Sequence, residues 1–552
     1  MHGTGRTVFA GSRVEEFGVE VLGVLQNIGP KQSIILARLS GGPLEKTGVM
    51  QGMSGSPVYI GGKLAGAVAL SFTFSKEPIA GIRPIEEMLR AGPSASRPAR
   101  ASLDGAPLLR AAAAPREEVV SGETRLTEIA TPVSFGGFTR AAIEHFAPRL
   151  RELGLEPAQG MSGGANPSGV MGDPSRLQPG SMITVQLISG DLNAGADGTV
   201  TLIDGKTIYA FGHRFIAAGT TDLPFARSEV LTVLPNVQSS FKISAAKEWM
   251  GTITQDRATA IAGVLGRRAS LVPVSIALNT REKADSSSYH IELVNDPVLS
   301  PLLLQMAVFS AVDATERALG EASYRVRGRA EFQSGQSIRL DNIYVGDANT
   351  AVNVSLGVAI PVSYALQSGF DALKLKNIAL DIDASERKDQ VQIGQVWTSS
   401  REVRPGDSVE LGVELDGLNG RELSRTVRYT VPIGSPLGPL YFTVADGATT
   451  NLSEFAQTIG VPSRSAREVV GLLNGLRDND KAYVRVWRAD ADYQVDGVDF
   501  PDPPPSLALL LARSQAAGGN VFWHGSKLAE MEIAAGGALV SGSRTVQVEV
   551  KQ

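Results

Sequence analysis

QGMSGSPVYIGGKLAGAV, residues 51–68, sets Ser54 between a Gly-Met pair and Gly55, follows it with Ser56-Pro57 and the apolar run VYI, and places Gly61-Gly62 before a second apolar run. A Gly-Gly pair between two short apolar runs is a hairpin signal, so the stretch predicts turn–strand–turn–strand within a β unit. A serine nucleophile needs a base for its proton and backbone donors for the oxyanion that forms. Glycine at Gly52 lets its own N–H and that of Ser54 point at one spot, and Gly55 lets a substrate backbone approach closely. Pro57 then sets the start of a buried strand. The same hexamer also reads as a plain turn between strands. Ser56 shares the turn, but only Ser54 has glycine at both −2 and +1. A shortened echo, QGMSGG at 159–164, places Ser162 in a tract of Gly, Pro and Asn with no proline or strand behind it, which is loop composition.

Outward from this stretch, residues 7–90 carry short β-rich runs (TVFAG, EVLGVLQN, SIILARL, KLAGAVALSF) and end in IRPIEEMLRAG, a short helix with a glycine stop. Residues 93–180 form an Ala/Pro/Arg-rich linker, a helix over 138–155 and a loop-like tract. A second β unit spans 181–270, with tight turns at ADG and IDG. An α+β region over 271–388 holds two helical patterns, PVLSPLLLQMAVFSAVDATERAL and NTAVNVSLGVAIPVSYALQSG. Alternating strands over 389–446 suggest an immunoglobulin-like β sandwich, and 447–552 a C-terminal α/β unit in which PDPPP (501–505) is a rigid break. The expected class is mainly β with α+β parts.

The 552 residues suffice for several domains, and 43% hydrophobic with 20% charged residues is ordinary globular composition. The net charge of −5 and the lack of any Lys/Arg run point away from nucleic acid. No run reaches the roughly 20 apolar residues of a membrane span, so no integral span is expected. The chain runs at once from MHGTGRTVF into strand-like sequence, which reads as a chain without its leader; export to a bacterial periplasm or cell envelope is the expectation, with the cytoplasm the alternative. The absence of cysteine removes disulfides, thiolate zinc sites and cysteine nucleophiles. His, Asp and Glu do not cluster at ligand spacing, and no glycine pair fits a phosphate loop, so neither metal nor cofactor is expected.

Only five histidines are available as a base: His2, His145, His213, His290 and His524. IYAFGHRF (208–215) delivers Gly212-His213 at the end of an apolar strand, a rigid way to hold an imidazole over a cleft; the bland alternative is a satisfied strand-end histidine. His145 sits on a helix, His290 and His524 lack such a turn, and His2 is terminal.

LEKTGVMQGMSGSPVYIGGKLAGAV, with VFAGSRVEEFGVEVLG upstream and IAGIRPIEEML downstream, resembles the peptidase domain of the SpoIVB sporulation signalling protease family. YAFGHRF followed by GTITQDRATAIAGVLG resembles the histidine part of that domain. The resemblance implies a serine endopeptidase with a chymotrypsin-like double β-barrel acting on a protein or peptide substrate. Ser54 falls on its nucleophile and His213 on its histidine, and the N–H groups of Gly52 and Ser54 are the expected oxyanion donors. Two features depart from the family. The serine part here precedes the histidine part, as in a circular permutation; a triad is defined by geometry and not by chain order. The family's aspartate falls on Ser40, in ARLSGGPLEKTG, and Asp222 in TTDLPF is the substitute candidate, or else a turn aspartate. Residues 1–92 and 181–270 are thus expected as the two halves of a peptidase unit cleaving one or few proteins, itself included. A non-catalytic envelope scaffold derived from a protease is the alternative, favoured by Ser40. An esterase is disfavoured because no strand-turn-helix elbow follows Ser54.

Overall fold

The chain is described by a computed structural model covering residues 1–72, 75–92, 118–121, 124–159, 167–236, 239–280, 285–315, 320–417, 420, 422–458, 465–495, 498–501 and 520–552, with isolated positions between 504 and 510. The central part of the linker expected over 93–180, Ser162, and most of PDPPP lie outside the described residues.

Six strands build the first barrel: β1 (His2–Val8), β2 (Val14–Gly29), β3 (Gln32–Ser40), β4 (Pro57–Ile60), β5 (Lys63–Phe72) and β6 (Ile79–Pro84). They pair antiparallel in the order β4-β1-β2-β3-β6-β5, and β5 returns to β4 to close the ring. Closure leaves no sheet edge between these strands and fixes which face is inside. Phe17 and Val19 of β2 and Ala37 and Leu39 of β3 alternate into the core, where they meet Val58, Val68 and Ile82. The Gly-Gly hairpin forms as expected: Ile60 pairs with Lys63, and Gly61 and Gly62 both take positive φ.

The connecting segment is partly built into the sheets. β7 (Glu118–Ser121) and β8 (Thr124–Glu128) extend the first sheet beyond β5, whereas β9 (Thr131–Gly136) and β10 (Leu155–Gln159) join the second. Between β9 and β10 the helix Arg140–Glu152 is capped by Thr139 and buries Ile143, Phe146 and Leu150. β11 (Ser168–Met171) follows.

The second barrel comprises β12 (Met182–Gly190), β13 (Asn193–Asp204), β14 (Thr207–Ala210), β15 (Gly219–Leu234), β16 (Phe241–Arg257) and β17 (Ala260–Leu265). Its ring runs β13-β14-β17-β16-β15-β12 and closes from β12 to β13, again antiparallel throughout. The molecule is therefore mainly β, with two closed six-stranded barrels ahead of its α+β part.

In that part, Leu271–Thr280 and Asp285–Val294 carry the sheet on from β12, and the helices Leu299–Asp313 and Thr350–Gln367 pack against it. Thr350–Gln367 is long and apolar enough by composition to cross a membrane, but Val354, Val358 and Val362 are buried in the protein core. The C-terminal strands depart from the expected division at 446/447. Phe442 and Val444 share one core with Leu411 and Val413 on one side and with Val484, Val486 and Val548 on the other, so strands on both sides of the boundary make one sandwich.

Candidate active site

The serine turn lies between the two barrels. Gln51 pairs with β16: its N–H donates to the Ser240 carbonyl at 2.9 Å and its carbonyl accepts from Lys242 N at 3.2 Å. Met53 is fully buried in the first barrel's core and anchors the turn there. Gly52 and Gly55 take φ of 87° and 91°, a region that side chains rarely adopt. At Gly55 space demands glycine as well, since a Cβ would stand 2.0 Å from the Thr199 carbonyl oxygen and 2.5 Å from Phe211 N.

β13 of the second barrel holds the turn's carbonyls. Thr199 N donates to Ser54 O at 2.9 Å, Thr199 Oγ1 to Gly52 O at 2.8 Å, and Thr201 Oγ1 to Gly55 O at 2.6 Å. The amides of Met53, Gly55 and Ser56 donate to Met50, Val68 and Met53 respectively. Those of Gly52 and Ser54 donate to nothing among the described residues. The amides at −2 and 0, without an acceptor among the described residues and with their carbonyls tied back, are candidate donors for an oxyanion.

The histidine turn follows β14. Phe211 has φ of 71°, an outlier for a bulky residue, and Gly212 and Ala217 also take positive φ. The strain is sustained by Asp256 of β16, whose fully buried carboxylate accepts from Phe215 N and Ile216 N, both at 2.8 Å, and from Ala218 N at 3.0 Å. Burial pushes the Asp256 pKa up, and these amide donors pull it back. His213 Nδ1 lies 2.7 Å from the Arg214 carbonyl, which fits a protonated Nδ1 and leaves Nε2 as the basic nitrogen.

The two turns share their supports. Phe211 N donates to the Thr199 carbonyl, while Thr199 N binds Ser54. Gly212 packs on Val68 and Ala69 of β5, and Val68 O accepts from Gly55. Arg83, fully buried, reaches the Gly212 carbonyl at 3.4 Å, and Arg214 stands 3.6 Å from Glu128 of β8. Ser54 and His213 are 0% and 1% exposed, and Ser54 Oγ makes no hydrogen bond among the described residues. The site is thus assembled at the backbone and closed to solvent, with its hydroxyl not engaged. A cleft of about 560 Å³ runs beside the turn, lined by Gln51, Ser134, Glu156, Asn236, Phe241 and Lys242.

Asp222 sits elsewhere in the network: one carboxylate oxygen accepts from Arg267 at 3.1 Å and the other from Ser270 N at 2.8 Å. Ser40 is exposed at the end of β3. His145 stacks on Phe309, and His290 is exposed beside Asp191. Asp256 carries no motif in the sequence. Its only signal was a lone aspartate in TITQDR, within the stretch already set beside the histidine part.

Residues 3–89 match the family SpoIVB peptidase S55. The matched segment spans the strands of the first barrel and the serine turn. No curated protein and no solved structure matches the chain.

Proposed function

We propose that this chain, a SpoIVB-type serine peptidase at the level of its family, is an endopeptidase whose nucleophile is Ser54 and whose base is His213. The observation that carries the reading is the pair of unengaged amides at Gly52 and Ser54, on a turn that shares Thr199 and Val68 with the histidine turn. Ser54 Oγ attacks the peptide carbonyl carbon as Nε2 of His213 takes the hydroxyl proton. The oxyanion is held by Gly52 N and Ser54 N, and His213 returns the proton to the leaving amine. Water then repeats the sequence on the acyl-enzyme.

No carboxylate is needed on the imidazole itself in this reading. The Arg214 carbonyl fixes the tautomer, and Asp256 fixes the turn that presents the ring. Reaction requires Ser54 to rotate into hydrogen-bond reach of Nε2, about 2.6–3.2 Å. A buried, unengaged serine favours regulated cleavage of one or few proteins, or of the chain itself, over digestion. The cleft beside Gln51 offers room for a substrate segment. We read the serine barrel standing before the histidine barrel as a circular permutation of a chymotrypsin-like pair, working in the bacterial cell envelope.

The test is labelling with a fluorophosphonate probe. Wild type should take up label and Ser54→Ala none; equal labelling of both sinks Ser54 as nucleophile. The alternative, a protease-derived scaffold, draws on the exposed Ser40 at the family's acid position and on the closed site. It predicts no label on either protein.

A further inference from the structure

Beneath the serine turn lies a buried polar chain that the mechanism does not use. Lys242, second residue of β16, is 2% exposed, and its Nζ donates to Thr7 Oγ1 of β1 at 2.7 Å. Ser56 Oγ donates to the same Thr7 oxygen at 3.1 Å. The lysine stem runs under Gly52, where a Cβ would meet its Cδ at 3.3 Å. Its backbone N–H holds the Gln51 carbonyl. One residue therefore reaches the turn at Gln51, Gly52 and, through Thr7, Ser56.

An ammonium in this place is costly unless partnered. Its charged neighbour is Asp197 of β13, a buried carboxylate that accepts from Thr184 and from Ser244 Oγ. Burial lowers the Lys242 pKa to about 7 and raises that of Asp197 to about 6, each opposing the other's shift. A surface lysine would pair with β16's partner strands equally well through its backbone. The buried amine touches Thr7 of β1, which also accepts from Ser56 of the serine turn, and the stem lies against Gly52.

We propose that Lys242, acting through Thr7, is a positioning residue that holds residues 51–56 in the conformation that leaves the Gly52 and Ser54 amides open to an acceptor. The inference rests on Ser54 being the nucleophile for its chemical consequence, but not for its structural one. Removing the ammonium while keeping the stem leaves Thr7 Oγ1 held by Ser56 alone and lets the turn relax.

The experiment compares full-length wild type with Lys242→Met, Thr7→Val and Thr7→Ser, by fluorophosphonate inactivation kinetics and by amide hydrogen exchange of peptides covering 49–58. Lys242→Met and Thr7→Val should each cut the maximal inactivation rate at least ten-fold with the half-saturating probe concentration unchanged. They should also speed exchange over 49–58 at least ten-fold while peptides from 375–385 keep wild-type exchange. Thr7→Ser, which retains the hydroxyl, should restore both readouts. Wild-type exchange over 49–58 in both Lys242→Met and Thr7→Val overturns the proposal, as does an equal loss in Thr7→Ser and Thr7→Val. If wild type takes no label, the nucleophile reading fails and the exchange arm alone decides the positioning role. If Lys242→Met exchanges fast throughout, the two Thr7 variants decide.

Discussion

The serine turn and the histidine turn meet at one place but are held in different ways. The serine turn belongs to the first barrel by sequence, yet its carbonyls at Gln51, Gly52, Ser54 and Gly55 are bound by Lys242, Thr199 and Thr201 of the second. The histidine turn is held by its own barrel, through three amides on Asp256 and through Phe211 on Thr199. Its ties to the first sheet are the packing of Gly212 on Val68 and Ala69 and the longer contacts of Arg83 and Arg214. The serine turn's carbonyl contacts are therefore a property of the barrel interface, whereas the histidine turn is held mainly within one barrel. Loosening the interface should disable the serine turn first.

The largest break in this comparison is Asp256→Ala. It orphans three buried amides and should cost about 3 kcal/mol or more in chemical denaturation. It should abolish probe labelling, and Asp256→Asn, which keeps one acceptor oxygen, should lose less of both. A denaturation midpoint equal to wild type would show that the histidine turn is held by something else.

Gly55→Ala attacks the other side. Its Cβ would overlap backbone atoms of Thr199 and Phe211 and would occupy positive φ. A destabilisation of about 2 kcal/mol or more follows from strain of this kind. Hydrogen exchange should rise across 51–56 and β13 before it rises in 251–257.

A third expectation concerns pH. Lys242 has its pKa depressed in the folded state, so between about 7 and the unfolded value of 10.5 the unfolded chain binds more protons. Folding stability from this group therefore increases with pH across that window, by up to about 1.4 kcal/mol per pH unit. Asp197, raised to about 6, acts oppositely below that pH: its contribution is present under 3.8 and is lost as pH rises through about 6. Thermal unfolding from pH 7 to 9 should show a positive slope in wild type that Lys242→Met reduces; parallel slopes would contradict the assignment. The smallest effect is Thr199→Val, which removes the donor to Gly52 O and should cost about 1 kcal/mol. It should slow labelling while leaving exchange at 213–218 unchanged.

Much of the backbone of the candidate site was legible because glycine requirements are local. GMSGSP and FGH each state a backbone geometry within a few residues, and the Gly61-Gly62 hairpin is as direct. Barrel closure was not legible from spacing, since β1 pairs with β4 and β12 with β15 through contacts no short window contains. Asp256 was hidden for a related reason: it binds main-chain amides some 40 residues earlier, and amides leave no residue-type pattern. Asp222 is nearer to His213 in sequence, but Arg267 and Ser270 engage its oxygens. Lys242, in SSFKIS, resembles any strand lysine until Thr7 is brought beneath it. In the C-terminal region, alternation identified strands on each side of 446/447 but could not reveal that Phe442 and Val484 fill the same core.

The most direct measurement is a structure of the protein after reaction with a fluorophosphonate. Phosphorus is expected on Ser54 Oγ, with the phosphonyl oxygen about 2.7–3.1 Å from both Gly52 N and Ser54 N, and His213 Nε2 within hydrogen-bond reach of the serine oxygen. Phosphorus on Ser56 or another residue, or a phosphonyl oxygen turned away from those two amides, would contradict this expectation.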